Sequence, residues 1–159
     1  MLFQRLDHIA FRVADLETVV DFYVETLGYE IVQKMNLDFH GSRAISNVLQ
    51  LPDNPFFIFV DQGFDEDNII SRWVQKYGSG LHHMAYLVED IEWTAGELRK
   101  RGMQFTTEQV IDTGGGLKQI FSLPNPGTGL ITELIQRERE GLFFVRENVL
   151  ELIRSTEGL

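Results

Sequence analysis

Two histidines stand 75 residues apart in matching surroundings, His8 within Leu6-Asp7-His8-Ile9-Ala10-Phe11 and His83 within Leu81-His82-His83-Met84-Ala85-Tyr86. A lone histidine in an apolar segment is ordinarily a buried, hydrogen-bonded core residue. Duplication weakens that reading, because repeated units aim equivalent side chains at a common space. Glu133 adds an acid inside the apolar run Leu130-Ile131-Thr132-Glu133-Leu134-Ile135, where a carboxylate buried without a partner would be costly. An edge-strand position, or a salt bridge to Arg12 or Arg137, would also account for it. Two imidazoles and one carboxylate with open positions are the ligand set of non-haem Fe(II) oxygenases, whose vacant positions admit substrate and dioxygen, and Mn, Co, Ni or Zn suits the same donors. Applying the offset of 75 to Glu133 puts Ile58 at its twin position, so three protein ligands are expected and no fourth. His82 points to the other side of an alternating strand and is expected to be packed or solvent-facing, and His40 has no repeat partner. Neither joins the site.

These residues need a scaffold, and the repeat describes one. Residues 6–17 match residues 81–92 at the constant offset, with Leu, His, Ala, Val, Asp and Glu identical in both copies. Each copy opens with period-two alternation, the mark of a strand. Asp15 and Asp90 then stand as N-caps. The first helix is expected to bury Leu16, Val19, Val20, Tyr23 and Leu27, and the second Ile91, Ala95 and Leu98. Helices end near Gly28 and Gly102. Three strands come next in each copy, expected at residues 29–34, 42–49 and 56–61, then at 104–107, 118–122 and 130–136. Between the copies, Ile69, Ile70, Trp73 and Val74 at helical spacing predict a linking helix that stops at Gly78, and Val149, Leu150, Leu152 and Ile153 predict a docked terminal helix. The expected fold is α+β, with two βαβββ modules forming an open, mostly antiparallel β-barrel around one metal site, plus a C-terminal helix. It forms one domain, residues 1–159, made of module 1 (1–63), the linking helix (64–79), module 2 (80–137) and the terminal helix (138–159).

Composition narrows the chemistry. The chain has 159 residues and no Cys, which removes thiolate zinc sites, iron–sulfur clusters and disulfide frameworks. A net charge of −10 opposes binding to a phosphate backbone or an anionic membrane, so neither nucleic acid nor membrane is an expected partner. Residues 1–6 lack the apolar stretch of a signal peptide and no run is long enough to span a bilayer; a cytoplasmic location is expected.

The paired strand openings, the repeated histidine and the acid on the last strand resemble the vicinal oxygen chelate superfamily, which includes glyoxalase I, methylmalonyl-CoA epimerase, fosfomycin resistance proteins and extradiol dioxygenases. The segment from Trp73 through Gly78-Ser79-Gly80-Leu81-His82-His83 to Asp90-Ile91, then Leu98-Arg99-Lys100-Arg101-Gly102, is similar to the catalytic half of 4-hydroxyphenylpyruvate dioxygenase. So are Lys118-Gln119-Ile120-Phe121-Ser122, Glu133-Leu134-Ile135-Gln136-Arg137 and the terminal Glu147-Asn148-Val149-Leu150-Glu151-Leu152-Ile153. The resemblance implies that His8, His83 and Glu133 are iron ligands and that Gln119 is a substrate-contacting amide. It also implies a homodimer.

The resulting reading is an Fe(II) dioxygenase acting with dioxygen on a small bidentate substrate, a 2-oxo acid or a catechol-type compound. Phe56, Phe59, Phe121 and Phe143 are candidates to line its pocket. The alternative is a glyoxalase- or epimerase-like lyase or isomerase, in which the metal acts as a Lewis acid on a carbonyl and a carboxylate moves the proton. Asp61 or Gln62 enters as a fourth ligand under that alternative if the strand register slips. A metal-free binding protein of the bleomycin-sequestering kind is the third reading, and it leaves the repeated His and the Glu without a purpose.

Overall fold

The computed structural model describes residues 1–159. Along the chain come β1 (Arg5–Arg12), α1 (Leu16–Asp21), β2 (Glu30–Phe39), β3 (Ser42–Gln50), β4 (Phe57–Gly63), α2 (Ile69–Tyr77), β5 (Gly80–Leu87), α3 (Ile91–Lys100), β6 (Leu117–Phe121), β7 (Ile131–Arg137) and α4 (Arg146–Ser155). The strands form a mixed sheet in the order β2-β3-β4-β1-β5-β7-β6, which bears out the α+β class with a C-terminal helix. The chain divides into two compact units, residues 8–82 with 157–159, and residues 1–7 with 83–156.

In the unit built on residues 8–82, β1 runs parallel to β4, and β3 pairs antiparallel with both β4 and β2. β2 and β3 join through His40 and Gly41, both at positive φ (58° and 92°), as the tight hairpin turn requires. His40 is thereby placed at an exposed turn. One face of the sheet packs on α1, where Val13, Val20, Leu49, Ile58 and Val60 form a core joined by Ile9, Phe11, Leu16 and Val19. Asp15 caps α1 by accepting from the Thr18 N–H at 3.1 Å, and Gln62 Oε1 accepts from the Leu16 N–H at 2.8 Å. The helix then changes pitch: Phe22–Thr26 form a π turn, which takes in extra residues and rotates the chain beyond it. Val24 joins the core in consequence, while Leu27, expected inside, is 47% exposed. The opposite face of the sheet carries His8, Ala10 and Arg12 from β1, Phe57, Phe59 and Asp61 from β4, and Ser46 from β3, by alternation and register. Asn68 caps α2, accepting from the Ile70 N–H at 2.9 Å while donating to Ser42 Oγ and the Arg43 carbonyl, and the helix stops at Gly78 as its spacing predicts.

In the other unit β5 runs parallel to β7, and β6 antiparallel to β7. Asp90 caps α3 through the Trp93 N–H at 3.0 Å, and Gln136 Oε1 accepts from the Ile91 N–H at 2.9 Å, the counterpart of Gln62 at α1. Ile91, Ala95 and Leu98 of α3 pack on Val88, Ile120 and Leu134. The strand expected at 104–107 is reduced to a single bridge, Phe105 to Ser122, because Met103 and Phe105 turn into the α3 core and Thr106 Oγ1 bonds to Ser155 Oγ of α4. Helix α4 packs on β6 and buries Val149, Leu150, Leu152 and Ile153, the residues its periodicity marks.

The register corrects one expectation. Glu133 pairs with Ala85, while Ala10, the twin of Ala85, pairs with Phe59. The capping glutamines Gln62 and Gln136 agree: the last strands of the two copies are offset by 74, not 75. The twin of Glu133 is therefore Phe59 rather than Ile58, and the twin of Ile135 is Asp61. A slip of one residue sends a side chain to the other face of a strand, and Ile58 does lie in the α1 core.

A Cβ at Gly63 would press on Ser71 Oγ and on Asn68 Oδ1, the atom that caps α2. Gly63→Ala is expected to lower stability by about 1–3 kcal/mol, measured by urea denaturation, against about 1 kcal/mol for loss of the cap alone in Asn68→Ala.

Candidate metal centre

β1, β5 and β7 supply three buried donors, His8, His83 and Glu133. One ligand atom from each, an imidazole nitrogen twice and a carboxylate oxygen, lies within 4.8 Å of the others. The sequence reading named these three residues, and the fold brings them together. Each imidazole is braced by a phenylalanine, His8 by Phe59 at 4.9 Å between ring centroids and His83 by Phe121 at 4.7 Å. Phe121 stands directly across from Glu133 in the β6–β7 ladder.

Glu133 is 1% exposed and firmly oriented. Gln119 Nε2 donates to its Oε1 at 2.8 Å, and His83 Nε2 lies 3.0 Å from its Oε2. Gln119 is held in turn by Asn148 of α4, whose Nδ2 donates to Gln119 Oε1 at 3.0 Å and to the Leu117 carbonyl at 2.9 Å. Asn148 Oδ1 accepts from the N–H and the hydroxyl of Thr113. A buried chain of side-chain hydrogen bonds thus leads from the terminal helix to the carboxylate, which fixes the direction of its lone pairs. The donor set suits a divalent ion of borderline softness and leaves coordination positions open.

Other expected residues fall elsewhere. His82 is buried with its ring edge-on to Trp73 at 4.5 Å. Arg137 makes a two-pronged ion pair with Asp7, both bonds 2.8 Å, and so serves a different carboxylate from Glu133. Phe56 packs into the α1 core and Phe143 is exposed. Gln62 caps α1, which removes it as a fourth ligand, and Asp61 stands outside the group of three donors.

The sequence reading missed the environment of Asp61. Burial pushes its carboxyl from 3.8 up to about 6, with the Ser46 hydroxyl and the charges of Arg12 and His8 pulling the other way. The same burial lowers Arg12 to about 10, opposed by Asp61, and its guanidinium lies 5.2 Å from the centre of the Trp73 ring. A signal was present: Asp61 closes the apolar run Phe56-Phe57-Ile58-Phe59-Val60, and an acid there has to be answered from within the fold. Asn148 was legible only as a polar residue on the apolar side of α4.

The Glyoxalase/Bleomycin resistance protein/Dioxygenase superfamily model matches residues 7–121. The chain belongs to this superfamily. Among its relatives is the ethylmalonyl-CoA/methylmalonyl-CoA epimerase of Cereibacter sphaeroides, 30% identical over 134 residues that cover 83% of this chain and 97% of that protein. Human mitochondrial methylmalonyl-CoA epimerase is 29% identical over 133 residues, covering 83% and 73%. The crystal structure of methylmalonyl-CoA epimerase from Mycobacterium tuberculosis superposes with a TM-score of 0.71 at 26% identity, covering 86% of this chain and 89% of that one. These similarities overturn the dioxygenase expectation, and dioxygen as a co-substrate goes with it. The physical reason is that two imidazoles and a carboxylate serve Lewis-acid chemistry as readily as oxygen activation, so the ligand set alone cannot choose between them.

The folded carboxyl of Asp61 holds its proton more tightly than the unfolded one, at about 6 against 3.8. Its contribution to stability is complete below pH 3.8 and is lost as the pH rises through about 6, a difference worth roughly 3 kcal/mol. Unfolding free energies of the metal-free protein measured from about pH 4 to 7 are expected to carry this decline, and Asp61→Asn is expected to flatten it.

Proposed function

We propose that the chain is a metal-dependent epimerase or isomerase that relocates the proton on the carbon beside a carbonyl, with His8, His83 and Glu133 as the metal ligands. The observation that carries this reading is the group of three buried donors in a chain whose relatives at 29–30% identity are acyl-CoA epimerases. A divalent ion bound there supplies Lewis-acid polarisation of the substrate carbonyl, which acidifies the adjoining C–H. Zn, Co, Mn, Ni and Fe(II) all suit the donors.

The chain's own contributions rest on the geometry. His8 and His83 offer imidazole nitrogens on rings packed against aromatic neighbours. Gln119 keeps Glu133 aimed, so the carboxylate need not reorganise when a cation and a substrate arrive. The substrate class is a small acyl thioester with an acidic α-carbon, as in the names of the relatives.

Metal-stripped protein titrated with Mn, Co or Zn is expected to take up one ion per chain and to catalyse exchange of the α-proton of methylmalonyl-CoA or a related acyl-CoA in D₂O, monitored by NMR. His83→Ala is expected to lose stoichiometric metal and activity while keeping its circular dichroism. A His83→Ala protein that still binds one ion per chain contradicts the ligand assignment, and a metal-loaded native protein inert toward the acyl-CoA series contradicts the reaction.

A further inference from the structure

The two amide side chains that lead to Glu133 have a polarity, and the backbone sets it. Asn148 of α4 is fully buried, and all four of its hydrogen-bonding positions are taken. Nδ2 donates to the Leu117 carbonyl at 2.9 Å and to Gln119 Oε1 at 3.0 Å, while Oδ1 accepts from the Thr113 N–H at 3.1 Å and from the Thr113 hydroxyl at 2.6 Å. A carbonyl only accepts and a backbone N–H only donates, so Asn148 fits one way round. The segment that carries Thr113 is itself tied to β6, where Ile111 and Gln119 exchange backbone hydrogen bonds of 2.8 and 3.0 Å.

The second amide inherits that choice. Gln119 has to turn its oxygen to Asn148, which leaves Nε2 as the group that meets Glu133 Oε1, at 2.8 Å. With Oε1 held, Oε2 stays turned to His83, 3.0 Å away. A reversed Gln119 would set an oxygen against a carboxylate oxygen, two acceptors with no proton between them. Both amides and the carboxylate are no more than 2% exposed, so solvent does not repair a wrongly turned amide. Docking of the helix needs none of this, because Val149, Leu150, Leu152 and Ile153 already give α4 an apolar packing face.

Resting on the assignment of Glu133 as a metal ligand, we propose that Asn148 is a positioning residue for the metal centre: by fixing which way round Gln119 sits, it raises the affinity of the site for a divalent cation and links occupancy of the site to the docking of α4. The linkage is reciprocal. A docked α4 keeps the carboxylate aimed at the ion, and a bound ion, by holding the carboxylate, favours the docked α4.

The metal-free chain is titrated with Co(II) against a competing chelator as the native protein, Asn148→Leu, Gln119→Leu and the double variant. Asn148→Leu keeps an apolar side chain of similar size and removes the polarity. Each single variant is expected to bind Co(II) about 10–100-fold more weakly. The double variant is expected to be no weaker than Gln119→Leu alone, because Asn148 acts through Gln119. A contribution of Asn148 to packing alone would persist in the Gln119→Leu background and multiply. Should Asn148→Leu fail to fold, hydrogen exchange of the native chain reads the linkage, with saturating Co(II) expected to slow the amides of residues 149–153 by about tenfold or more. Asn148→Leu binding within about twofold of native, losses that multiply in the double variant, or α4 amides indifferent to Co(II) would each overturn the role of Asn148 while leaving the ligand assignment intact. A native chain that takes up no Co(II) overturns both.

Discussion

A carboxylate in the dry interior of a sheet must be answered by donors or by positive charge, and Glu133 imposes that demand on everything around it. β7 carries it inward at a position where its neighbours in sequence are apolar. β6 answers with Gln119, and α4 answers for Gln119 with Asn148. β5 brings His83 to the other oxygen. The terminal helix is in this sense part of the site: its apolar face docks it on β6, but the single polar residue on that face sets the direction of a carboxylate two hydrogen bonds away. With His8 close by, these residues form a group that could hold a metal ion.

The scaffold was legible where local patterns carry it. The strand openings, the two aspartate caps, the linking helix and the terminal helix were all visible because alternation, capping and helical spacing are properties of short segments. The two histidines and the glutamate were visible because a polar residue in an apolar strand is conspicuous, and twice so when repeated. What could not be read was phase. The π turn after α1 moved Leu27 outward and Val24 inward, and a one-residue contraction in the second copy moved the twin of Glu133 from Ile58 to Phe59. Both are single-residue shifts that leave composition and periodicity nearly unchanged, and each reverses which way a side chain faces.

That corrected register shows how far the two halves have diverged. Where the second copy has Glu133, the first has Phe59, stacked near His8. Where the second has Ile135, the first has Asp61. At these two rungs the copies hold different acids, Glu133 with both oxygens engaged and Asp61 with its Oδ1 unpaired. The kinship with acyl-CoA epimerases bears on the reaction; the three-donor count by itself had favoured oxygen chemistry.

The central claim is that His8, His83 and Glu133 bind one divalent ion together. Anomalous diffraction from crystals of the protein loaded with Co(II) or Zn(II), collected on both sides of the metal edge, tests it directly. The account predicts one strong peak per chain, about 2.0–2.2 Å from a nitrogen of His8, a nitrogen of His83 and an oxygen of Glu133. A peak lying elsewhere, or none in protein shown to be folded and saturated with metal, would contradict it.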